Sequence, residues 1–301
     1  MNVNLTKDND ALNGDIFPTF LRYLIPSILG LIAMTSSSLV DGIFIGNYVG
    51  ITALAAVNLI IPIITLLFGV SMMMSIGGSV RGGKYLGEGD KSAASSIFSK
   101  SLIFMTIYGI TSITLTLVFE EQIFAGLGAT KELFPVMSAY YSIIMPFVTF
   151  QLLIIPLYFF IRLDGLPNLA AVALGVGAVV NIALDYLFIA VYGWGLTGAA
   201  WATGISEVLS LLVIMFYFFM PERTLSFSFR QNNWMEVFQA AYNGISEFIN
   251  EVSGAIIAFI FNWMLIQRAG VDGVAAITVV NYMLMTGFMM FFAIEDTSQV
   301  M

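Results

Sequence analysis

The sequence predicts an all-α membrane protein, for two reasons. First, 59% of its residues are hydrophobic and 10% are charged, whereas soluble domains carry about 25% charged residues. Second, eight apolar stretches are each long enough to cross a bilayer as a helix of about 20 residues, and no alternating barrel strands are seen. The stretches are Tyr23–Val40, Thr52–Val80, Ser101–Phe119, Leu133–Ile161, Leu166–Tyr192, Thr197–Met220, Val237–Gln267 and Gly273–Ile294.

The composition also excludes several kinds of chemistry. The chain has no cysteine and no histidine, which excludes disulfides, thiolate metal sites and imidazole proton relays. Its net charge of −8 argues against nucleic acid as a partner. The Gly-rich segment Gly77–Gly89 lacks the spacing of a phosphate-binding loop, so we interpret it as a tight cytoplasmic turn and expect no nucleotide or other cofactor. The polar first 15 residues do not resemble a cleavable signal peptide.

Lysine and arginine predict the orientation in the membrane. Two of them, Lys131 and Arg268, fall in odd-numbered loops, whereas nine fall in the N-terminal tail and the even-numbered loops. The nine are Lys7, Arg22, Arg81, Lys84, Lys91, Lys100, Arg162, Arg223 and Arg230. The positive-inside rule therefore places the N-terminus in the cytoplasm of a protein of the cell (inner) membrane.

A faint internal repeat predicts two lobes. GITALAAV at Gly50–Val57 aligns with GVDGVAAI at Gly270–Ile277, with three identities and three apolar exchanges. The offset of 220 residues makes the seventh span the counterpart of the first, and six spans per unit make the two units parallel. We expect a complete six-helix N-lobe over residues 1–220 and the first two helices of a second lobe over residues 221–301.

Two carboxylates inside these spans are the main candidates for function. Asp41 follows a run of hydroxyl residues on the first span, and Asp185 follows Asn181 by one helical turn on the fifth. A carboxylate at the bilayer centre costs about 2.5–3.5 kcal/mol to insert and usually faces a bundle interior or a pathway. With the predicted topology, Asp41, Asp185 and Thr203 share one depth in the outer half of the membrane.

The residues leave the nature of this site open. One carboxylate could retain a proton beside the other, or the carboxylates with Asn181 and Thr203 could supply the oxygen ligands that Na⁺ accepts. Alternatively, Asp41 reaches headgroup water, and Asp185 with Asn181 only bridges two helices.

Three glutamates are candidates for a polar cavity wall. Glu207 follows Thr203 by four residues, and Glu247 and Glu251 form a same-face pair on the seventh span. An alternative for Glu207 and Glu247 is a position at the membrane interface. The 26 Phe, 12 Tyr and 17 Met residues suit lipid contact and packing, or an adaptable cavity for bulky apolar ligands.

Four segments resemble the multidrug and toxin extrusion (MATE) family of ion-coupled efflux transporters. They are LVDGIFIGNYVGITALAAVNLIIPI, VVNIALDYLFI, GWGLTGAAWAT and SEFINEVSGAIIAFIFNWML. The resemblance implies a fold of twelve helices in two lobes, exchanging Na⁺ or H⁺ for cationic organic compounds. It implies a cation site in the N-lobe, onto which Asp41, Asn181 and Asp185 map, with Thr203 at a hydroxyl position of the sixth helix. The glutamate of the seventh helix maps to Glu251.

The resemblance leads us to expect a secondary multidrug antiporter whose partners are cationic or amphipathic small molecules and membrane lipid. An alternative is a lipid-linked saccharide flippase of the same superfamily, but those tend to carry basic cavity residues, and no Lys or Arg lies within the predicted spans. We do not expect an enzyme, because Leu184-Asp185 does not supply the G-x-G-D motif of intramembrane aspartyl proteases.

The chain ends after eight of the twelve helices that the resemblance implies. We therefore expect a fragment, or a short form that pairs with another chain, including a non-transporting partner subunit. Under the 220-residue offset Asp41 falls on Phe261, so the acidic site is not duplicated. Cation coupling is accordingly predicted to belong to the N-lobe alone.

Overall fold

The computed structural model describes residues 16–228 and 233–300, and these are helical with short connections. Six helices in the described part are long and apolar enough to cross a membrane, which confirms the all-α membrane class. The elements are α1 (Ile16–Phe44), α2 (Ile51–Gly87), α3 (Lys91–Val118), α4 (Glu120–Gly126), α5 (Phe134–Leu163), α6 (Pro167–Asp185), α7 (Gly195–Met215), α8 (Met235–Asn243) and α9 (Ile245–Val300).

The helices lie where hydropathy placed the spans, with differences at the ends. The seventh span begins as the short helix α8, and the non-helical Gly270 inside α9 separates the seventh span from the eighth. The third span was predicted from Ser101, but α3 begins at Lys91, so Lys100 lies inside the helix rather than in a loop. The predicted N-terminal tail, including Lys7, and the loop residue Arg230 lie outside the described residues.

The prediction of a turn over Gly77–Gly89 is wrong for most of that segment. α2 continues to Gly87, and the chain turns only between Glu88 and Asp90. The glycines serve helix packing instead, because a Cβ on Gly78 would lie only 3.1 Å from the ring of Phe160 on α5. Helices pack closely in membranes through such small residues.

Two prolines inside the helices, Pro62 and Pro156, free carbonyl groups that neighbouring helices then satisfy. Pro156 has no N–H to donate to the carbonyl of Leu152, one turn earlier. The hydroxyl of Ser71 on α2 donates to that carbonyl at 2.9 Å. α5 therefore stays helical through Pro156 because α2 supplies the missing donor.

The same arrangement joins α2 to α9. Pro62 leaves the carbonyl of Asn58 without its helical donor. Nδ2 of Asn262 on α9 donates to this carbonyl at 3.0 Å, and Nδ2 of Asn58 donates to Oδ1 of Asn262 at 3.1 Å. A second acceptor for Asn58 Nδ2 is the carbonyl of Val274 at 3.4 Å. This buried polar contact joins α2 to both parts of α9.

The two segments of the predicted repeat share a local structure. Gly50 and Gly270, which the 220-residue offset superposes, have φ values of 114° and 62°. Both conformations lie in the region that favours glycine, and a helical stretch follows each residue. Leu54 and its counterpart Val274 are both buried. The repeat and the lobe boundary after Met220 remain predictions.

We expect Ser71→Ala to destabilise the protein by about 1 kcal/mol, since it leaves the Leu152 carbonyl unpaired in a buried position. In a Pro156→Ala background the new N–H can pair with that carbonyl, so the same substitution should cost clearly less. A double-mutant cycle measured by reversible unfolding in detergent micelles checks this. An equal cost of Ser71→Ala in both backgrounds would contradict the assignment.

Candidate cation site

Two predicted site residues lie where regular α-helices end. Asp41 lies in the last turn of α1, which continues as the π-helical segment Ile45–Val49. Asp185 is the last residue of α6, and the π-helical segment Tyr186–Val191 follows it. Such segments are rare and frequently mark functional sites. Hydropathy carries no signal for them, so the sequence analysis did not find them.

A hydrogen-bonded chain joins three helices at this site. The hydroxyl of Ser37 on α1 donates to Oδ1 of Asn181 on α6, and Nδ2 of Asn181 donates to Oγ1 of Thr203 on α7 at 3.3 Å. The structure thus brings Asn181 and Thr203 together as predicted. Ser37 was not singled out, although it precedes Asp41 by four residues and so shares its helix face. That spacing could have identified it.

The two carboxylates have no hydrogen-bond or ion-pair partner among the described residues. Asp185 is completely buried, and neither of its carboxyl oxygens is paired. Oδ1 of Asp41 is also buried and unpaired, and the two carboxyl groups interact electrostatically. Burying an ionised carboxylate without a partner is very costly. A proton or a bound cation would remove this cost.

The chemistry of these groups suits either occupant. Asp41, Asp185, Asn181 and Thr203 together offer carboxylate, amide and hydroxyl oxygens, which hard cations prefer to nitrogen or sulfur. Protonation of one carboxyl would equally remove the repulsion between the two. Ser37 already donates to the Asn181 oxygen, so this amide is oriented before any cation binds.

The three glutamates do not join this hydrogen-bonded chain. Glu207 is half-buried on α7, one turn beyond Thr203, and has no hydrogen-bond or ion-pair partner within residues 16–228 and 233–300. Glu247 and Glu251 are half-buried on α9 and interact electrostatically. Glu251 packs against α2, where a Cβ added to Gly69 would lie 3.3 Å from its own Cβ. Their role as cavity residues remains a prediction.

An apolar cavity of about 320 Å³ lies elsewhere, between α2, α4 and α9. Its lining consists of Pro62, Ile63, Leu66, Ile123, Gly126, Leu127, Ala255, Ile256 and Phe259. One aromatic residue and no methionine contribute to it, so it differs from the Met- and aromatic-rich cavity that composition suggested.

Two basic side chains are buried inside the helices, contrary to the expectation that no Lys or Arg lies within the spans. Lys100 on α3 donates to Glu236 on α8, and Arg162 on α5 donates to Tyr158 at 3.1 Å and to Ser27 at 2.8 Å. Both charges are held by local partners. The predicted third span begins at Ser101, ten residues after the helix begins at Lys91, and so it left Lys100 outside.

These helices define a multi-pass membrane protein, and the buried carboxylate pair is its candidate cation or proton site. The sequence profile of the MatE family matches residues 26–187, which is more than half of the chain. The match spans Asp41 and Asp185. The chain therefore belongs to the MatE family, whose members are transporters rather than enzymes.

Curated relatives and solved structures agree with this assignment. The multidrug export protein MepA of Staphylococcus saprophyticus is 27% identical over 213 residues, covering 71% of this chain and 47% of the relative. MepA of Staphylococcus aureus strain N315 is 27% identical over 203 residues, covering 67% of this chain and 45% of the relative. The chain thus spans about half the length of the curated relatives it matches.

Among solved structures, the outward-facing conformation of a multidrug resistance MATE family transporter has a TM-score of 0.86 and 26% identity, covering 99% of this chain and 66% of that one. A second structure is a MOP superfamily transporter from Pyrococcus furiosus, for which a reverse polarity of the binding pocket suggests a different function. Its TM-score is 0.85 and its identity 26%, covering 98% of this chain and 66% of that one.

We expect Ser37→Ala to loosen the Asn181 amide and lower the free energy of unfolding by about 0.6 kcal/mol, the average for hydrogen bonds between membrane helices, and by at most about 1.7 kcal/mol. Ser36→Ala is the matched control, since Ser36 is the exposed neighbour. Unfolding in detergent would compare the two variants. Equal stability of both would show that the Ser37 hydroxyl does not hold Asn181.

Proposed function

We propose that this protein is a secondary active multidrug exporter that exchanges H⁺ or Na⁺ for cationic organic compounds. The observation that carries the proposal is the group of unpaired, buried carboxyl oxygens on Asp41 and Asp185, at the junction of three helices. Membership of the MatE family and similarity to the MepA exporters support it. The excess of Lys and Arg in predicted cytoplasmic segments supports a cell (inner) membrane protein with a cytoplasmic N-terminus.

The coupling follows from the charge balance at the site. With the site empty and ionised, two carboxylates repel each other in a medium of low dielectric. A proton or Na⁺ removes this repulsion and so stabilises arrangements in which α1 and α6 approach closely. Export requires that the ion and the drug favour different states of the transporter. When ionised, Glu207, Glu247 and Glu251 carry negative charge, which would attract a cationic drug to the polar cavity that they are predicted to line.

Two alternatives remain distinct from this proposal. A lipid-linked saccharide flippase would need cationic side chains available to a phosphate, whereas Lys100 and Arg162 already have partners. A non-transporting partner subunit would bind the ion without exporting a drug. Neither alternative is favoured by a specific contact in the described residues.

Expression of the 301-residue chain in cells that lack their own drug exporters should lower ethidium accumulation. Asp41→Asn and Asp185→Asn should each abolish this effect, because each removes one charge from the ion site. Asp272→Asn, which alters an exposed carboxylate, is the control and should export normally. Undiminished efflux in both site variants would refute the mechanism.

If Na⁺ is the coupling ion, sodium should raise the free energy of unfolding of the purified chain. The increase should be about 2.7 kcal/mol at a sodium concentration 100 times the dissociation constant. Asp41→Asn and Asp185→Asn should remove the effect, whereas Glu251→Gln should retain it, because we propose that the N-lobe alone holds the ion. Choline chloride at the same ionic strength is the salt control. Equal loss in the Asp41 and Glu251 variants would contradict an N-lobe site.

A further inference from the structure

The linker that follows α7 is bound along the N-lobe rather than free of it. Three of its backbone N–H groups donate to side chains of the lobe. The pairs are Thr224 to Asp164 Oδ2 at 2.7 Å, Ser226 to Ser95 Oγ at 3.2 Å and Ser228 to Ser99 Oγ at 2.8 Å. The ring of Phe227 also stacks on Phe218, with centroids 5.2 Å apart. The linker is therefore an integral part of the N-lobe surface.

A buried network then fixes the start of α8 to the same lobe. Nζ of Lys100 on α3 donates to the carbonyl of Asn233 at 2.9 Å and to Oε2 of Glu236 at 3.3 Å. The hydroxyl of Tyr85 on α2 donates to Oε1 of Glu236 at 2.9 Å, and Arg81 donates to that hydroxyl at 2.9 Å. The Lys100 and Glu236 side chains are only 3% and 8% exposed.

This ion pair is difficult to separate. Moving α8 away from α3 would leave Lys100 buried without its anionic partner, and a buried uncompensated charge is strongly destabilising. Both carboxyl oxygens of Glu236 are engaged by different helices of the N-lobe, so a small rotation of α8 would break at least one contact. The contacts of Glu236 therefore fix the orientation of α8 as well as its attachment to α2 and α3.

The seventh span is interrupted at Gly244, which lies between the end of α8 and the start of α9. Here the backbones of α2 and the seventh span touch directly. A Cβ on Gly77 would overlap the Ala240 carbonyl oxygen, and a Cβ on Gly244 would overlap the Met73 carbonyl oxygen. Two helices that cross through glycine can rotate about the crossing without moving side chains out of the way, and hinges are often element ends of this kind.

We infer that α8 moves with the N-lobe during transport and that α9 pivots against it at Gly244. The inference rests on the proposed function, because it names the pivot of that transport cycle. Residues 220–228 and 233–243 then belong mechanically to the N-lobe, so the boundary between the two moving parts lies after the linker rather than at its start. Lys100 and Glu236 act as positioning residues for α8.

The absence of cysteine from the sequence makes a spin-label test direct. Ser92 on α3, Gln239 on α8 and Ser253 on α9 are all exposed. Cysteines introduced at 92 and 239 form one pair, and cysteines at 92 and 253 form the other. The distance between the two spin labels of each pair is measured by pulsed electron–electron double resonance in the full chain. The measurement is made with and without sodium and with and without ethidium.

We expect the 92–239 distance to stay constant while the 92–253 distance shifts between conditions. Parallel shifts of both distances would overturn the inference, because the pivot would then lie in the linker. Two constant distances in a chain that exports ethidium would overturn it as well.

A second arm does not depend on transport. Lys100→Met should broaden the 92–239 distance distribution in every condition, because α8 loses its anchor. Lys84→Met is the matched control, since Lys84 is exposed and, among the residues that the structure describes, pairs only with the exposed Glu88 at 4.0 Å. A distribution as narrow in Lys100→Met as in the parent chain would overturn the inference. Absence of ethidium export, by contrast, refutes the proposed function while this comparison still decides whether the network holds α8.

Discussion

Inside a bilayer no water is available to pair with a polar group, so each backbone carbonyl or charged side chain depends on a partner within the protein. The described helices follow this constraint closely. The carbonyl of Leu152, which Pro156 leaves without a helical donor, is paired by Ser71. Lys100, a charge deep in the helices, has two acceptors. The carboxyl oxygens of Asp185 depart from the pattern, because both are buried and neither is paired.

That contrast separates structural polar groups from the site. A buried charge that only stabilised the fold would be expected to resemble Lys100, with its partners supplied by neighbouring helices. Asp41 and Asp185 instead interact electrostatically with each other, and Asn181 is hydrogen-bonded to both α1 and α7. The amide is satisfied within the protein while the carboxylates are not. A proton or a cation added from outside would supply the partner that these carboxylates lack.

The sequence predicted the fold well because the length and apolarity of a span are set by the bilayer and can be read residue by residue. The predictions were wrong at helix ends, because packing between helices decides where a helix begins and ends. Gly77–Gly87 was taken for a turn from its glycine content, yet these glycines lie in α2. Lys100 was placed in a loop because a charge ordinarily ends a span, whereas Glu236, 136 residues later in the chain, makes its burial possible. Such a distant partner leaves no local signal.

The candidate site was predicted from two facts that sequence does contain, namely charges inside apolar spans and their depth after orientation. The contacts that these residues make could not be predicted, because they depend on how the helices pack in three dimensions. The only links between α2 and α9 that are both buried and polar in the described residues involve Asn58, whose amide and carbonyl pair with Asn262 and Val274. The candidate ion site lies on α1, α6 and α7, and α1 and α2 both pack against α9, so these two helices are routes by which occupancy of the site would influence α9. In the proposed mechanism α8 is fixed to the N-lobe, so the free energy of ion binding would act on the orientation of α9 about Gly244. This would provide a mechanical path from the carboxylate pair to the second lobe.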